Sequence, residues 1–162
     1  MKFTNDLDID DNGVIYFIDT SHTRSLGEVL EEHIEAHPRG RLYSFNEKTN
    51  ELQLLLNDLY FPNGIQLTPS HDALLINENT KARIIKYYLT DDKSGKVEVF
   101  AVLPGFGDTI RFTSRETLLV PFTGVRYSLF YSSLDLLGRF PIVRNMIGAV
   151  ILVFWIFVYV LI

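Results

Sequence analysis

Three residues with oxygen-bearing side chains, Asn5, Asn63 and Asp108, hold equivalent places in three similar segments of the chain. Each begins an alternation of apolar and polar residues, as in a half-buried β-strand, and a polar turn and a second apolar run follow. Amide and carboxylate oxygens with little formal charge suit Ca²⁺, whereas zinc or copper would require His or Cys at these places. The pattern predicts that successive repeats contribute the three side chains to one calcium or substrate site.

Each of the three residues has a simpler alternative reading. Asn and Asp at the start of a strand often form turns by bonding their own backbone, and for any one of the three taken alone that reading is favoured. Their common register in three repeats favours the site. Gly64 and Gly107, which adjoin Asn63 and Asp108, fit a close approach of backbones at a crowded channel mouth.

The repeat itself predicts an all-β fold, part of a β-propeller. Self-similarity at a period of roughly 40 to 60 residues is typical of propellers and solenoids, and four short antiparallel strands make one propeller blade. In such a fold the innermost strand of each blade lines the central channel, where the three candidate ligands would converge. The predicted strands are 7–10, 14–19, 41–45 and 51–56 in the first unit, 65–68, 73–78, 83–89 and 97–102 in the second, and 110–112 and 117–120 in the third.

A short helix is expected inside the first unit, between its second and third strands. Ser25 and Glu28 form a capping-box sequence, and apolar residues then recur at helical spacing to about residue 36. His22, His33 and His37 fall in or beside this helix and are expected on its solvated face, and the alternative is that the helix forms a lid that places one of them over the channel. Glu78 ends the second strand of the second unit, and Asp19, Thr20 and Ser21 end that of the first unit. All four are expected to be ordinary polar residues at strand ends, with a role behind the ligands as the alternative.

Composition excludes some partners. The chain has 162 residues, 47% of them hydrophobic, with a net charge of −5, no cysteine and no basic stripe, so no nucleic-acid partner is expected. We divide it into a partial propeller (1–124), an insert or linker (125–145) and an apolar C-terminal helix (146–162) that is a candidate transmembrane segment at the short edge of the required length. Two blades and part of a third cannot close a ring of about four to eight, so we expect a piece of a longer protein, inactive alone.

Several motifs together resemble the strictosidine synthase-like proteins, and in particular the animal branch of that family. The resemblance covers residues 3 to 144. The motifs are Phe3-Thr4-Asn5-Asp6-Leu7, Val14-Ile15-Tyr16-Phe17-Ile18-Asp19-Thr20-Ser21, Gly40-Arg41-Leu42, Leu59-Tyr60-Phe61-Pro62-Asn63-Gly64-Ile65-Gln66-Leu67-Thr68-Pro69, Ala82-Arg83-Ile84, Leu103-Pro104-Gly105-Phe106-Gly107-Asp108-Thr109-Ile110-Arg111 and Leu134-Asp135-Leu136-Leu137-Gly138.

The resemblance implies a six-bladed propeller related to the paraoxonases and to the gluconolactonase and regucalcin group, with calcium held in the channel by Asn, Asp and Glu side chains. Asn5, Asn63 and Asp108 match three such places. The family usually has Asn where this chain has Thr109, which removes one candidate amide ligand. The acidic ligand of the first blade would lie before Met1, and the glutamate that performs Pictet–Spengler chemistry in the plant enzyme would lie beyond Ile162, so strictosidine synthesis is not expected.

These observations lead to two functional expectations. The first is a calcium-dependent hydrolase of small esters or lactones, similar to an arylesterase or lactonase, in which the catalytic base is not identified. The alternative is a non-catalytic, membrane-associated propeller that serves as a binding module, because a fold does not dictate a function. In both, the protein is expected at the plasma membrane or an endomembrane, because the animal branch of the family is anchored there.

Overall fold

The computed structural model describes residues 1–125 and, beyond them, residues 140, 142–143, 145–147 and 149–150. Most of residues 1–125 form short antiparallel strands, and the one α-helix in this range lies between the second and third strands. The strands are β1 (Thr4–Ile9), β2 (Val14–Asp19), β3 (Gly40–Asn46), β4 (Glu51–Leu59), β5 (Pro62–Leu67), β6 (Ala73–Glu78), β7 (Arg83–Tyr88), β8 (Val97–Val102), β9 (Gly105–Gly107), β10 (Arg111–Phe112), β11 (Leu118–Leu119) and β12 (Phe122–Val125), and the helix is α1 (Val29–Glu35).

The strands assemble into blades, as the sequence repeat predicts. The first four form one antiparallel sheet in the order β1-β2-β3-β4, and the next four form a second in the order β5-β6-β7-β8. Each blade is a meander whose strands pair in chain order. Short polar turns such as Asp11-Asn12-Gly13 join most neighbouring strands, whereas residues 20–39, which include α1, join β2 to β3. The all-β, propeller-type prediction is confirmed.

The third unit differs from its prediction. β10 and β11 form the expected hairpin, but a second pair joins β9 to β12 across it. Gly105–Gly107 is too short and too rich in glycine to show an alternating apolar pattern. Its pairing with β12 therefore depends on where the neighbouring blade places the chain, and no local sequence signal marks it.

The apolar core lies between the blades. Ile18 and Leu42 from the first blade pack with Ile65, Leu74 and Ile76 from the second, and all five are fully buried. A smaller cluster of Leu75, Ile84 and Ile110 joins the second blade to the third unit. Because every residue of β6 is buried, this strand is covered on both faces, as expected of a middle blade.

Carboxylates on the innermost strand of the first blade bind the backbone of the second. Asp6 Oδ2 accepts from Ile65 N at 3.0 Å, and Asp8 Oδ2 accepts from Leu67 N at 2.7 Å. Innermost strands otherwise leave one row of amides without a sheet partner, and these carboxylates satisfy two of them. The Arg111 guanidinium donates to both oxygens of Asp6, at 2.7 and 2.9 Å, and these bonds raise the pKa of Arg111. The three units are thus fastened along one line, next to the predicted channel.

The predicted C-terminal helix lies largely outside the described residues. Of residues 146–162, the structure describes 146–147 and 149–150, and these are helical. Within the described part of the chain, no helix has both the length and the apolar character needed to cross a bilayer.

Candidate functional site

Asn5 and Asn63 are in direct contact at the same end of two adjacent innermost strands. The Nδ2 atom of Asn5 donates to Oδ1 of Asn63 at 2.6 Å. Each is the second residue of its strand, β1 and β5 respectively. Of the three predicted ligands, the structure therefore brings these two together across the boundary between the blades, although 58 residues separate them in sequence.

A β-bulge orients each of these asparagines. In β1, the three steps from Thr4 to Leu7 pair with only two steps on β2, from Asp19 to Phe17. In β5, the two steps from Pro62 to Gly64 pair with only one step on β6, from Glu78 to Asn77. A bulge adds one residue to a strand and turns the side chain there out of the regular alternation. Equivalent bulges in two blades aim two equivalent side chains at each other.

Asp108 approaches the pair through its backbone. It lies between β9 and β10, and a Cβ atom added to Gly64 would meet the Asp108 carbonyl oxygen at 2.8 Å and the Ile110 nitrogen at 2.7 Å. The Asn77 Nδ2 atom donates to that carbonyl at 2.7 Å. The segment that carries the third predicted ligand is therefore held against the residue that follows Asn63. The convergence of all three side chains on one ion stays a prediction.

Thr20 links the two asparagines to the backbone. Its hydroxyl accepts from Asn5 Nδ2 at 3.1 Å and donates to the Pro62 carbonyl, one residue before Asn63, at 2.6 Å. Thr20 is fully buried, so these bonds are shielded from water. The sequence offered only a weak signal for this role, a small polar residue directly after the second strand.

Two buried acids hold the segments that lead into the innermost strands. Asp19 Oδ1 accepts from Phe3 N at 3.0 Å, and Glu78 Oε1 accepts from Tyr60 N at 2.9 Å. Both are almost completely buried, and Arg83 pairs with the second oxygen of Glu78. The interpretation of these acids as ordinary polar residues at strand ends understates their role. Their equivalent places in the two blades are a repeat signal that could have identified them.

The helical insert covers a cavity beside Asn63. The cavity has a volume of about 370 Å³, and its walls are mostly apolar, with contributions from Phe3, Leu30, His33 and Phe61. Phe61 adopts a left-handed backbone conformation with φ at 49°, which is uncommon for a bulky residue and occurs where the surroundings enforce it. Asn63 itself lines the cavity, so the two asparagines stand next to an apolar recess.

The expectation that His33 lies on a solvated helix face is wrong. Its ring is half-buried and meets the rings of Phe61 and Phe106 edge-on, each at a centroid distance of 5.4 Å. His22 is also engaged, with Nδ1 at 2.7 Å from the Arg39 carbonyl. Helical spacing gave the wrong exposed face because α1 has just seven residues, and Phe61 and Phe106 from outside the helix enclose the His33 ring.

The donor chemistry of the site fits a hard cation. Asn5 and Asn63 offer amide oxygens, and Asp108 offers a carboxylate. Gly64, which follows Asn63, permits the close approach of the Asp108 backbone described above. Among the residues the structure describes, no group of three or more His, Cys, Asp or Glu could hold a metal ion. A metal here would therefore be held by a set rich in amide oxygens, which suits Ca²⁺ and does not suit a transition metal.

Comparison with known proteins places the chain in a family. The family model for strictosidine synthase matches residues 5–92. A strictosidine synthase-like protein 13 of Arabidopsis thaliana is 43% identical over 109 residues, which cover 67% of this chain and 27% of that protein. The adipocyte plasma membrane-associated protein of Mus musculus is 37% identical over 149 residues, covering 91% of this chain and 36% of that protein. The chain thus spans about a third of the length of these relatives.

Solved structures support the fold at lower sequence identity. A gluconolactonase from Xanthomonas campestris aligns with a TM-score of 0.56 and 21% identity, over 75% of this chain and 42% of that one. A calcium-binding regucalcin from Agrobacterium tumefaciens aligns with a TM-score of 0.53 and 17% identity, over 72% of this chain and 37% of that one. With its family-model match and its propeller-type blades, the chain belongs to the strictosidine synthase family.

Proposed function

We propose that the protein is a calcium-dependent hydrolase of small esters or lactones. The observation that carries the proposal is the contact between Asn5 and Asn63 at the end of two innermost strands, beside the Asp108 segment and an apolar cavity. The gluconolactonase and regucalcin likenesses show fold alone, but the names of those proteins agree with a lactone substrate and a calcium ion.

In this proposal Asn5, Asn63 and Asp108 hold the ion through side-chain oxygens. Bound calcium would supply Lewis acidity that polarises the substrate carbonyl and stabilises the oxyanion that develops there. Asn5 uses both hydrogens of Nδ2 in bonds to Asn63 and Thr20, which leaves its Oδ1 atom as the oxygen to offer. The amide of Asn63 keeps a second lone pair on Oδ1 for the ion and its Nδ2 donor for the substrate.

The cavity beside Asn63 indicates what kind of substrate would fit. Phe3, Val29, Leu30 and Phe61 line it, and among the residues that the structure describes no Asp, Glu, Lys or Arg side chain contributes to its walls. A volume of about 370 Å³ is at the small end of ligand pockets. We infer that the recess binds the uncharged, apolar part of a small ester or lactone and keeps water from it, while the polar carbonyl faces the asparagines.

Calcium titration and ester hydrolysis test the proposal together. We expect calorimetry to detect calcium binding to the wild-type protein and a large loss of affinity in Asn63→Ala. Asn57→Ala, an exposed asparagine on β4, is the matched control and should bind as the wild type does. Phenyl acetate hydrolysis is measured on the full-length protein that contains this chain, where it should depend on calcium and disappear with a chelator. Hydrolysis that is unchanged by the chelator or by Asn63→Ala would refute the metal mechanism.

The second candidate is a non-catalytic propeller that acts as a membrane-associated binding module. The observation that favours it is the similarity to proteins named for association with the adipocyte plasma membrane. Calcium binding that is lost in Asn63→Ala, together with no hydrolysis of any ester or lactone tested, would support this candidate. Sedimentation with liposomes, with and without calcium, would test the membrane association directly.

A further inference from the structure

We propose that Thr20 and Asn79 are equivalent positioning residues, each of which fixes the backbone directly before a candidate ligand of the next blade. The inference rests on the proposed site and goes beyond it, because it gives both residues a role in positioning the ligands and neither a role in coordinating the ion. We use the word clamp for the hydrogen bond from each of these side chains to a backbone carbonyl of the next unit. The two clamps lie at successive boundaries between units and orient the candidate ligands that follow.

The first instance joins the first blade to the second. The Thr20 hydroxyl donates to the Pro62 carbonyl at 2.6 Å, and Asn63 follows Pro62 directly. The same oxygen accepts from Asn5 Nδ2 at 3.1 Å. One buried hydroxyl therefore holds the side chain of Asn5 and the backbone that leads into Asn63.

The second instance joins the second blade to the third unit. Asn79 Nδ2 donates to the Gly107 carbonyl at 2.6 Å, and Asp108 follows Gly107 directly. Asn79 is 1% exposed and Thr20 is 0% exposed, so both bonds are buried, where a missing partner is costly. The two clamps contact the same place in the following unit, one residue before its candidate ligand.

The backbone confirms that the two residues are equivalent. Thr20 N donates to the Phe3 carbonyl at 2.8 Å, and Asn79 N donates to the Phe61 carbonyl at 3.1 Å. Each follows directly on the buried acid that ends the second strand of its blade, Asp19 in one case and Glu78 in the other. Thr and Asn are dissimilar in sequence, so the equivalence becomes visible only in these contacts.

The clamp has a specific consequence for Asn5. Because Nδ2 donates to both Thr20 and Asn63, the amide cannot rotate by 180° without losing two hydrogen bonds, and Oδ1 keeps one direction. Without the Thr20 hydroxyl, one of these bonds is lost and the Pro62 carbonyl loses its buried donor. The Asn5 amide would then sample both of its orientations. One of the two presents Nδ2 at the place where the ion requires Oδ1.

Two pairs of variants that differ only by a hydroxyl test the first clamp. The wild-type protein is compared with Thr20→Val, and Thr20→Ser is compared with Thr20→Ala. If one variant folds poorly, the other pair still measures the effect of the hydroxyl. We expect each loss of the hydroxyl to lower calcium affinity about tenfold, in the range found for residues that orient metal ligands. Thr68→Val is the control, because it removes a largely buried hydroxyl that bonds within its own turn and should leave calcium affinity unchanged.

A readout without metal separates this inference from the proposed function. In the calcium-free protein, nitrogen–proton NMR spectra should show the Asn5 side-chain amide shifted and broadened in Thr20→Val and restored in Thr20→Ser. Asn79→Leu should lower calcium affinity while leaving the Asn5 amide signals in place. An Asn5 amide that is unchanged by Thr20→Val would overturn the inference. If Thr20→Val changes the amide signals as expected but the wild-type protein binds no calcium, only the proposed function would be overturned.

Discussion

Substitution of Gly64 by alanine is expected to force the third unit away from the second. A Cβ atom at this position would stand 2.7 Å from Ile110 N, 2.8 Å from the Asp108 carbonyl oxygen and 2.9 Å from Thr109 Cα. All three are backbone atoms, so no side chain can rotate out of the way. Favourable contacts between heavy atoms lie at about 3.5 to 4.0 Å, so the segment 108–110 must move by roughly 0.6 to 1 Å.

The expected cost is about 1 to 3 kcal/mol of unfolding free energy, as for other overpacked interiors. Alanine also reduces the freedom of the unfolded chain, which stabilises by about 0.4 to 1 kcal/mol, so the steric effect wins. With a urea m-value of about 2 kcal/mol/M, a net loss near 1.3 kcal/mol lowers the denaturation midpoint by about 0.6 M. Calcium affinity should fall with it, because Asp108 moves relative to Asn63.

Urea denaturation followed by circular dichroism checks this prediction. Gly27→Ala is the matched control, because its Cβ would meet nothing closer than Ser25 Oγ at 3.9 Å and the residue lies in an exposed turn before α1. We expect its midpoint to stay the same or rise slightly. A Gly64→Ala protein with the midpoint and calcium affinity of the wild type would show that the 108–110 segment does not press on Gly64, and the reasoning would fail.

Two further predictions concern the contacts that fasten the blades and the helix. Asp8→Ala removes the carboxylate that accepts from Gln66 Nε2 at 2.5 Å and from Leu67 N at 2.7 Å. We expect it to lower the free energy of unfolding in urea by about 2 kcal/mol. The exposed control Glu47→Ala should lower it by less than about 0.5 kcal/mol. Hydrogen bonds from Ser25, first from its backbone N–H and second from its side chain, lower the pKa of Glu28 in the folded protein. These bonds therefore stabilise the folded state fully above pH 4.5, the ordinary pKa of the group, and the stabilisation is lost as the pH falls through the lower pKa of the folded state. Thermal unfolding of Ser25→Ala between about pH 6 and 3 should therefore show a weaker dependence on pH than the wild type, and equal slopes would contradict this assignment.

Much of the fold could be predicted from local sequence. The hairpin at Asp11-Asn12-Gly13 and the second strands of both complete blades match the structure closely, since a turn sequence between two apolar runs has few alternatives. The capping box also formed as predicted, with Ser25 N bonded to Glu28 Oε2 at 3.0 Å. The resemblance to the strictosidine synthase-like family, carried by the motifs quoted above, is confirmed.

The parts that could not be predicted depend on contacts between blades. The bulges at Asn5 and Asn63 have no local signature, and β9 is three residues long with two glycines. The burial of His33 arises because Phe61 and Phe106, distant in sequence, enclose its ring. A single chain segment carries no information about which neighbour will cover it.

By itself, the sequence determined the repeat, and the repeat placed Asn5 and Asn63 at equivalent positions of two blades, because a periodic chain builds the same sheet in each complete blade. The equivalent role of Asp108, which lies between two strands of the third unit, stays a prediction. Only the tertiary structure decided how these residues are held. Thr20 and Asn79 do not resemble each other, yet both bond the backbone of the next unit at 2.6 Å. The physical reason is that a hydrogen bond requires a donor and an acceptor at the right distance, and different side chains meet that requirement once packing of the blades has fixed the geometry.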